Sequence, residues 1–271
     1  MGSCALHLIV VLGEGVATMV TSPLNRMLQV WHVLWSLFVV WSLGDVQSVA
    51  YATDPAARNE AVSAAGPVVV GQVSYRGPVP APSDVPVDRD SEVCGHVVTV
   101  ATLSVDAATH GVRDVIVHVD SGQGVADHGP VQVSIVQNKR CVFYPRVAPL
   151  RVGAEAEIRN DDPVMHNTNM SLHHGTVLNV ALVPGGGPVK KQLKRQGLHV
   201  VKCNVHKFMQ AYRYVFSDPF FDQTNDVGQF RIQGLPPGLH TVSVWHETLG
   251  ELHKEIQVPP RGVLNVDLEF K

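Results

Sequence analysis

The chain has 271 residues and a formal net charge of −3, with 21 Lys and Arg against 24 Asp and Glu, so no bulk positive charge holds it to a nucleic acid. Apolar residues make up 45% and charged residues 17%, a composition that builds a core and excludes both a disordered chain and a coiled coil. Val occurs 49 times, and its branched side chain suits a pleated, half-buried surface. With 23 Gly and 18 Pro as punctuation, the expectation is an all-β protein of many short strands and scarce helix.

Taken in chain order, the first feature is an address. Residues 28–43, LQVWHVLWSLFVVWSL, follow Arg26 and precede Ala50-Tyr51-Ala52. Basic, apolar and small-x-small in that order describe a secretory signal peptide cut after Ala52, which makes residues 1–52 a leader. The apolar run is shorter than the ~20 residues that span a bilayer; retention as an anchor is the alternative. Export would place the mature protein in the periplasm or outside the cell.

Strands are predicted over 66–77, 97–105 and 112–120, with the Pro- and Asp-rich residues 78–90 as a loop or edge between the first two. After a loop at 121–130 come VQVSIVQ (131–137), CVFYPRV (141–147) and AEAEIRN (154–160). LHVVKC (198–203) and AYRYVFS (211–217) flank a short connection. GQFRIQG, LHTVSVWH, KEIQV and VLNVDLEF complete the chain, the first two joined by a Leu-Pro-Pro-Gly turn. His173 and His174 are read as strand residues pointing to opposite faces, in a surface or packing role.

Two segments carry chemistry. One is Asp-Asp-Pro-Val-Met-His166-Asn167, after the 154–160 strand; the other is Cys203-Asn-Val-His206-Lys-Phe-Met209, between two strands. One thiolate, two imidazoles and one thioether match a blue-copper centre, in which two His and a Cys form a trigonal set and a Met binds weakly on the axis. A structural zinc site would want four strong ligands, and Met is a poor one.

At these residues the sequence resembles the cupredoxins, and Cys-x2-His-x2-Met is the spacing of the amicyanin-like branch. The wider likeness, to plastocyanin-like proteins of the methylamine-utilisation type, runs from about Gln137 to AYRYVFS. The resemblance implies a Greek-key β-sandwich with one type 1 copper ion held by His166, Cys203, His206 and Met209. It implies that Asn167 ties the two ligand loops together and that His206 is the solvent-edge ligand through which electrons pass. Lys207 stands where such loops often carry Pro. Lys202 and Asn204 flank Cys203 in place of the His residues that pass electrons onward in multicopper oxidases, so no enzyme is expected.

With Cys203 assigned to copper and Cys4 in the leader, Cys94 and Cys141 are left. Export makes a disulfide the natural pairing; two separate buried thiols are the alternative. Residues 218–271 resemble the second half of a carboxypeptidase regulatory-like, or transthyretin-like, β-sandwich, and residues 66–120 resemble its first half. The expected organisation is a cupredoxin unit over 121–217, inserted between those halves. In the alternative, 66–120 supplies the cupredoxin's own opening strands.

The function expected is an exported mononuclear blue-copper protein that carries single electrons to or from a redox partner protein, with no nucleic acid and no small-molecule substrate. A module that stores, senses or hands over copper is the alternative; a structural sandwich whose site has drifted is a third reading.

Overall fold

A computed structural model describes residues 66–122 and 130–271. The leader, its cleavage site and most of the loop at 121–130 lie outside the described residues. Nearly all regular structure is β. The single described helix is the one turn Ser91–Cys94, and among the described residues no helix is long and apolar enough to cross a membrane.

Strands from the two ends of the chain build one sandwich. In its first sheet, Val68–Tyr75 is central: it pairs antiparallel with Gln229–Gln233 and parallel with Val263–Asn265 and Leu268–Phe270. The second sheet runs Phe221–Gln223, Ile116–Asp120, Gly238–His246, Gly250–Val258. Strict alternation along Gln229–Gln233 and Gly238–His246 sends Phe230, Ile232, Val242 and Val244 inward, where they meet Val69, Val73 and Val117 in one core. Within the first sheet, the chain between Val263–Asn265 and Leu268–Phe270 presses on the central strand: a Cβ on Gly71 would lie 1.9 Å from the Val266 carbonyl oxygen, so this position admits no side chain.

The middle of the chain builds a second sandwich. A five-stranded sheet runs Gly175–Leu182, His166–Leu172, Gly197–Lys202, Gln210–Phe216, Val147–Arg151, and a four-stranded sheet runs Val189–Gln192, Glu155–Asn160, Val133–Lys139, Val142–Tyr144. Their shared core includes Val136, Phe143, Ile158, Met170, Val201 and Val215, and it takes in Cys203 and Met209.

Between the two, a hairpin of Ser83–Pro86 and Val97–Val100 carries Ser91–Cys94 at its tip. It forms a strap over one end of the middle sandwich, and a disulfide from Cys94 to Cys141 fastens it. The 78–90 region thus supplies a short edge strand. The strand expected over 97–105 stops at Val100 and resumes as a single bridge, Val105 to Val112.

One further expectation is extended and one corrected. The His166 segment follows the Glu155–Asn160 strand as read, but His166 itself also opens a strand, His166–Leu172, paired along its length with Gly175–Leu182; neither of these two strands was anticipated, because polar residues interrupt their apolar spacing. His173 and His174 are not strand residues. Both have positive φ, 47° and 65°, and they form the two-residue turn of this hairpin, a conformation that favours residues tolerant of the left-handed region.

Candidate metal centre

The ligand loop leaves Gly197–Lys202 and returns as Gln210–Phe216. It closes on itself: Met209 N–H donates to the His206 carbonyl at 3.0 Å, and Cys203 N–H donates to the Met209 carbonyl at 3.3 Å. This turn faces the thiol of Cys203 inward and buries Cys203, His206 and Met209, which are 3%, 2% and 1% exposed. The backbone N–H groups of Asn167 and His206 both donate to Cys203 Sγ, each at 3.4 Å. These two contacts fix the position of the sulfur between the two segments.

His166 stands on the neighbouring strand and is fully buried. Its Nε2 lies 2.9 Å from Asp162 Oδ2. That carboxylate is itself fixed, because it accepts the backbone N–H groups of Arg140 at 2.6 Å and Cys141 at 2.8 Å. Arg140 and Cys141 form a tight turn with φ of 54° and 57°, and the Asp162 bonds help to hold it. Burial pushes the His166 imidazole below the usual histidine range; the Asp162 bond opposes this and the neighbouring His206 adds to it.

His206 presents its Nε2 to Asp90 Oδ2 at 3.1 Å, and Cys94 Sγ lies 3.8 Å from the same nitrogen. Here the structure overturns an expectation: His206 is no solvent-edge ligand, because the strap covers its outer edge. A carboxylate behind Nε2 orients each ring with its Nδ1 inward. The two Nδ1 atoms lie 3.1 Å apart, with Cys203 Sγ 3.8 Å from the His206 Nδ1. At that separation a shared proton or a metal ion satisfies both nitrogens. The donor atoms of His166, Cys203 and His206 all lie within 4.8 Å of one another; metal bonds of about 2.0 Å to nitrogen and 2.3 Å to sulfur reach donors up to about 4.3 Å apart, so the set needs to close by no more than about half an ångström. Imidazole and thiolate together suit copper. The donor set therefore fits a copper ion. Met209 shares this buried core.

Asn167 links the two segments through its backbone and not through its side chain. Its backbone reaches the ligand loop through Cys203 Sγ, while its side chain turns away and donates to Asn179 Oδ1 at 3.0 Å and the Val180 carbonyl at 3.1 Å. A side-chain amide link between the two segments is made by Asn169 to Asn204, at 3.4 Å. Sequence reasoning missed Asp162 and Asp90. The first stands four residues before His166 and had a visible signal in that spacing; the second has none, being 116 residues from its partner.

The segment Trp245-His246-Glu247 docks the end sandwich onto the strand that follows Met209. Trp245 meets Tyr212 and Tyr214 edge-on. Glu247 takes a two-pronged ion pair from Arg146, whose Nη1 also donates to the Gln210 carbonyl at 3.2 Å. Burial, helped by the Arg146 charge, pushes the His246 imidazole down to about 4. Lys190 is engaged by Glu155 and Glu157.

The sequence matches no protein-family model and no curated protein. Among solved structures, a copper-containing nitrite reductase from Thermus scotoductus SA-01 is similar over 36% of this chain and 26% of its own, at 23% identity and a TM-score of 0.28. A purple cupredoxin from Nitrosopumilus maritimus is similar over 31% of this chain and 99% of its own, at 19% identity and a TM-score of 0.27. Amicyanin from Paracoccus versutus is similar over 37% of this chain and 97% of its own, at 15% identity and a TM-score of 0.29. The chain spans about a quarter of the nitrite reductase, and each of these likenesses leaves most of the chain unmatched.

Proposed function

We propose that this protein holds a single type 1 copper ion and carries one electron at a time between partner proteins outside the cytoplasm. The observation that carries this reading is the pair of Nδ1 atoms 3.1 Å apart beside the Cys203 sulfur, each ring held from behind by a carboxylate. Copper bound there would supply a one-electron couple. His166, Cys203 and His206 would hold it, and Met209 would be the weak fourth donor. The chain's own contribution is rigidity. The loop is closed by its backbone bonds, the thiolate receives two N–H groups, and burial keeps water off both imidazoles. A site that cannot relax suits an ion that changes charge without changing ligands.

The Cys94–Cys141 disulfide supports the exported setting, since such bonds persist in oxidising compartments. In the same reading, the sandwich built from residues 66–120 and 218–271 is a regulatory-like unit that carries the copper unit, residues 121–217, as an insertion. Pairing of Val68–Tyr75 with Gln229–Gln233 supports it.

The covered outer edge of His206 favours a second reading, a copper-handling module without electron transfer. Loading with Cu(II) separates the two. Electron carriage expects an intense thiolate charge-transfer band, reversible reduction, and a lower potential with the band retained in Met209→Gln. Tight Cu(I) binding with no stable blue Cu(II) form would select the handling role, and failure to bind copper would end both.

A further inference from the structure

We propose that Asp90 is a positioning residue for the metal centre: by accepting the Nε2 proton of His206 it fixes Nδ1 as the inward donor and closes the outer edge of the ring to water. The inference rests on the copper reading above for its purpose, but its geometry stands in the chain itself. Asp90 precedes the one-turn helix Ser91–Cys94, at the position where Asp ordinarily caps its own helix by accepting backbone N–H groups with its side chain. It does not do so. The side chain makes no cap bond, and the Asp90 carbonyl takes the N–H groups of Val93 and Cys94 instead. The carboxylate is turned to His206 Nε2 at 3.1 Å.

That placement carries a conformational cost. Asp90 adopts φ 56° and ψ 33°, a left-handed conformation uncommon outside Gly, and such strain persists only where the surroundings over-determine it. Here they do. Four residues on, the Cys94–Cys141 disulfide ties the strap to the turn that feeds Asp162. Cys94 Sγ rests 3.8 Å from the imidazole edge that Asp90 caps. His206 is thereby 2% exposed although it sits in a loop at the end of the sandwich. The two imidazoles are thus oriented by the same device from opposite directions: His166 by a carboxylate of its own segment, His206 by one delivered across 116 residues. An outer carboxylate on a ligating imidazole sets its tautomer and raises its basicity.

The test uses the full chain with Asp90→Ala and Asp90→Asn, with disulfide mapping to verify that the strap is still fastened. In the metal-free protein, nitrogen-15-edited spectra should show the His206 proton on Nε2 in slow exchange with water. Asp90→Ala should speed that exchange by about tenfold or more. In Cu(I) competition titrations the same variant should weaken binding by about 10–100-fold. Asp90→Asn keeps an acceptor oxygen without the charge; it should keep the proton protected and raise the reduction potential. A wild-type His206 proton on Nδ1, or an Asp90→Ala protein with the strap fastened and both exchange and affinity unchanged, would overturn the proposal. So would an unchanged potential in Asp90→Asn. If the wild type binds no copper yet shows the protected Nε2 proton that Asp90→Ala loses, the copper reading fails and the positioning role stands. If copper binds with a blue band and Asp90→Ala behaves as wild type, the copper reading stands and the role of Asp90 falls.

Discussion

The two sandwiches are woven from the same Val-rich strands, yet their interiors are put to different uses. The one built from the ends of the chain closes over Val69, Val73, Phe230, Val242 and Val244, side chains that satisfy one another and ask nothing of a ligand. The one built from the middle places Cys203 and Met209 in its core, with His166 and His206 against them. Its interior therefore gathers a thiol, a thioether and two imidazoles at one place. The difference separates two sources of stability. The end sandwich depends on closure between distant segments; on the copper reading proposed above, the middle one gains further stability from what binds at its rim.

The largest effect expected comes from breaking that closure. Gln229–Gln233 pairs with Val68–Tyr75, and Gly238–His246 lies between Ile116–Asp120 and Gly250–Val258. A fragment of residues 218–271 keeps strands of both sheets but loses Val68–Tyr75 and Ile116–Asp120, leaving one-sided apolar faces and open edges. It should be unfolded, with no amide dispersion in its proton–nitrogen spectrum. A dispersed spectrum would show that the end sandwich does not need its first half.

The next effect belongs to the middle sandwich. A ligand present at a thousandfold excess over its Kd stabilises the folded state by about 4 kcal/mol. Copper should raise the midpoint of thermal unfolding accordingly. Cys203→Ser should abolish both this gain and the charge-transfer band while the far-ultraviolet β signature remains. A serine variant that kept the full gain would remove Cys203 from the ligand set.

These two effects differ in how far the sequence announces them. The all-β class was legible from Val content and turn residues, because strand patterning is local. Cys203, His206 and Met209 could be read as one group because a seven-residue turn between two strands must bring its side chains together. His166 needed only the adjacent strand. The strap was legible only as a loop or edge over residues 78–90, and nothing in Asp90 itself says that its carboxylate leaves its own helix for a ring 116 positions away. Asp162 and the His173-His174 turn fall between these cases. Each sits beside a residue the sequence singles out, but its role depends on a hairpin whose polar strands show no clean alternation.

Where the sandwiches meet, effects of intermediate size are expected. Arg146→Met would leave the Glu247 carboxylate, 6% exposed, without its cation, at a cost of about 3 kcal/mol. Denaturant titration of this variant should show the loss with an unchanged slope. Acid should act at the same seam through His246. Its folded value lies near 4 and its ordinary value is 6.5, so between these the unfolded state binds the proton that the folded state refuses. Stability should be full above about pH 6.5 and fall as the pH drops toward 4, by about 3 kcal/mol in total. His246→Gln should flatten that part of the pH profile. A profile unchanged by the substitution would assign the acid sensitivity to other groups.

The smallest effect should come from the rim of the end sandwich. Arg76, just past Val68–Tyr75, and Glu269 on the neighbouring Leu268–Phe270 strand approach to 3.4 Å, with side chains 64% and 53% exposed. The geometry is that of a cross-strand ion pair, but both partners stay in water. Attraction at that dielectric is offset by the ordering of two long side chains and is screened further by salt. Arg76→Ala should therefore change unfolding stability by less than about 1 kcal/mol, and by less still at high ionic strength. The same chemistry costs several times more at Arg146, because there the carboxylate is sealed against a second sandwich instead of facing solvent. A loss at Arg76 as large as that at Arg146 would mean that burial is not what separates seam from rim.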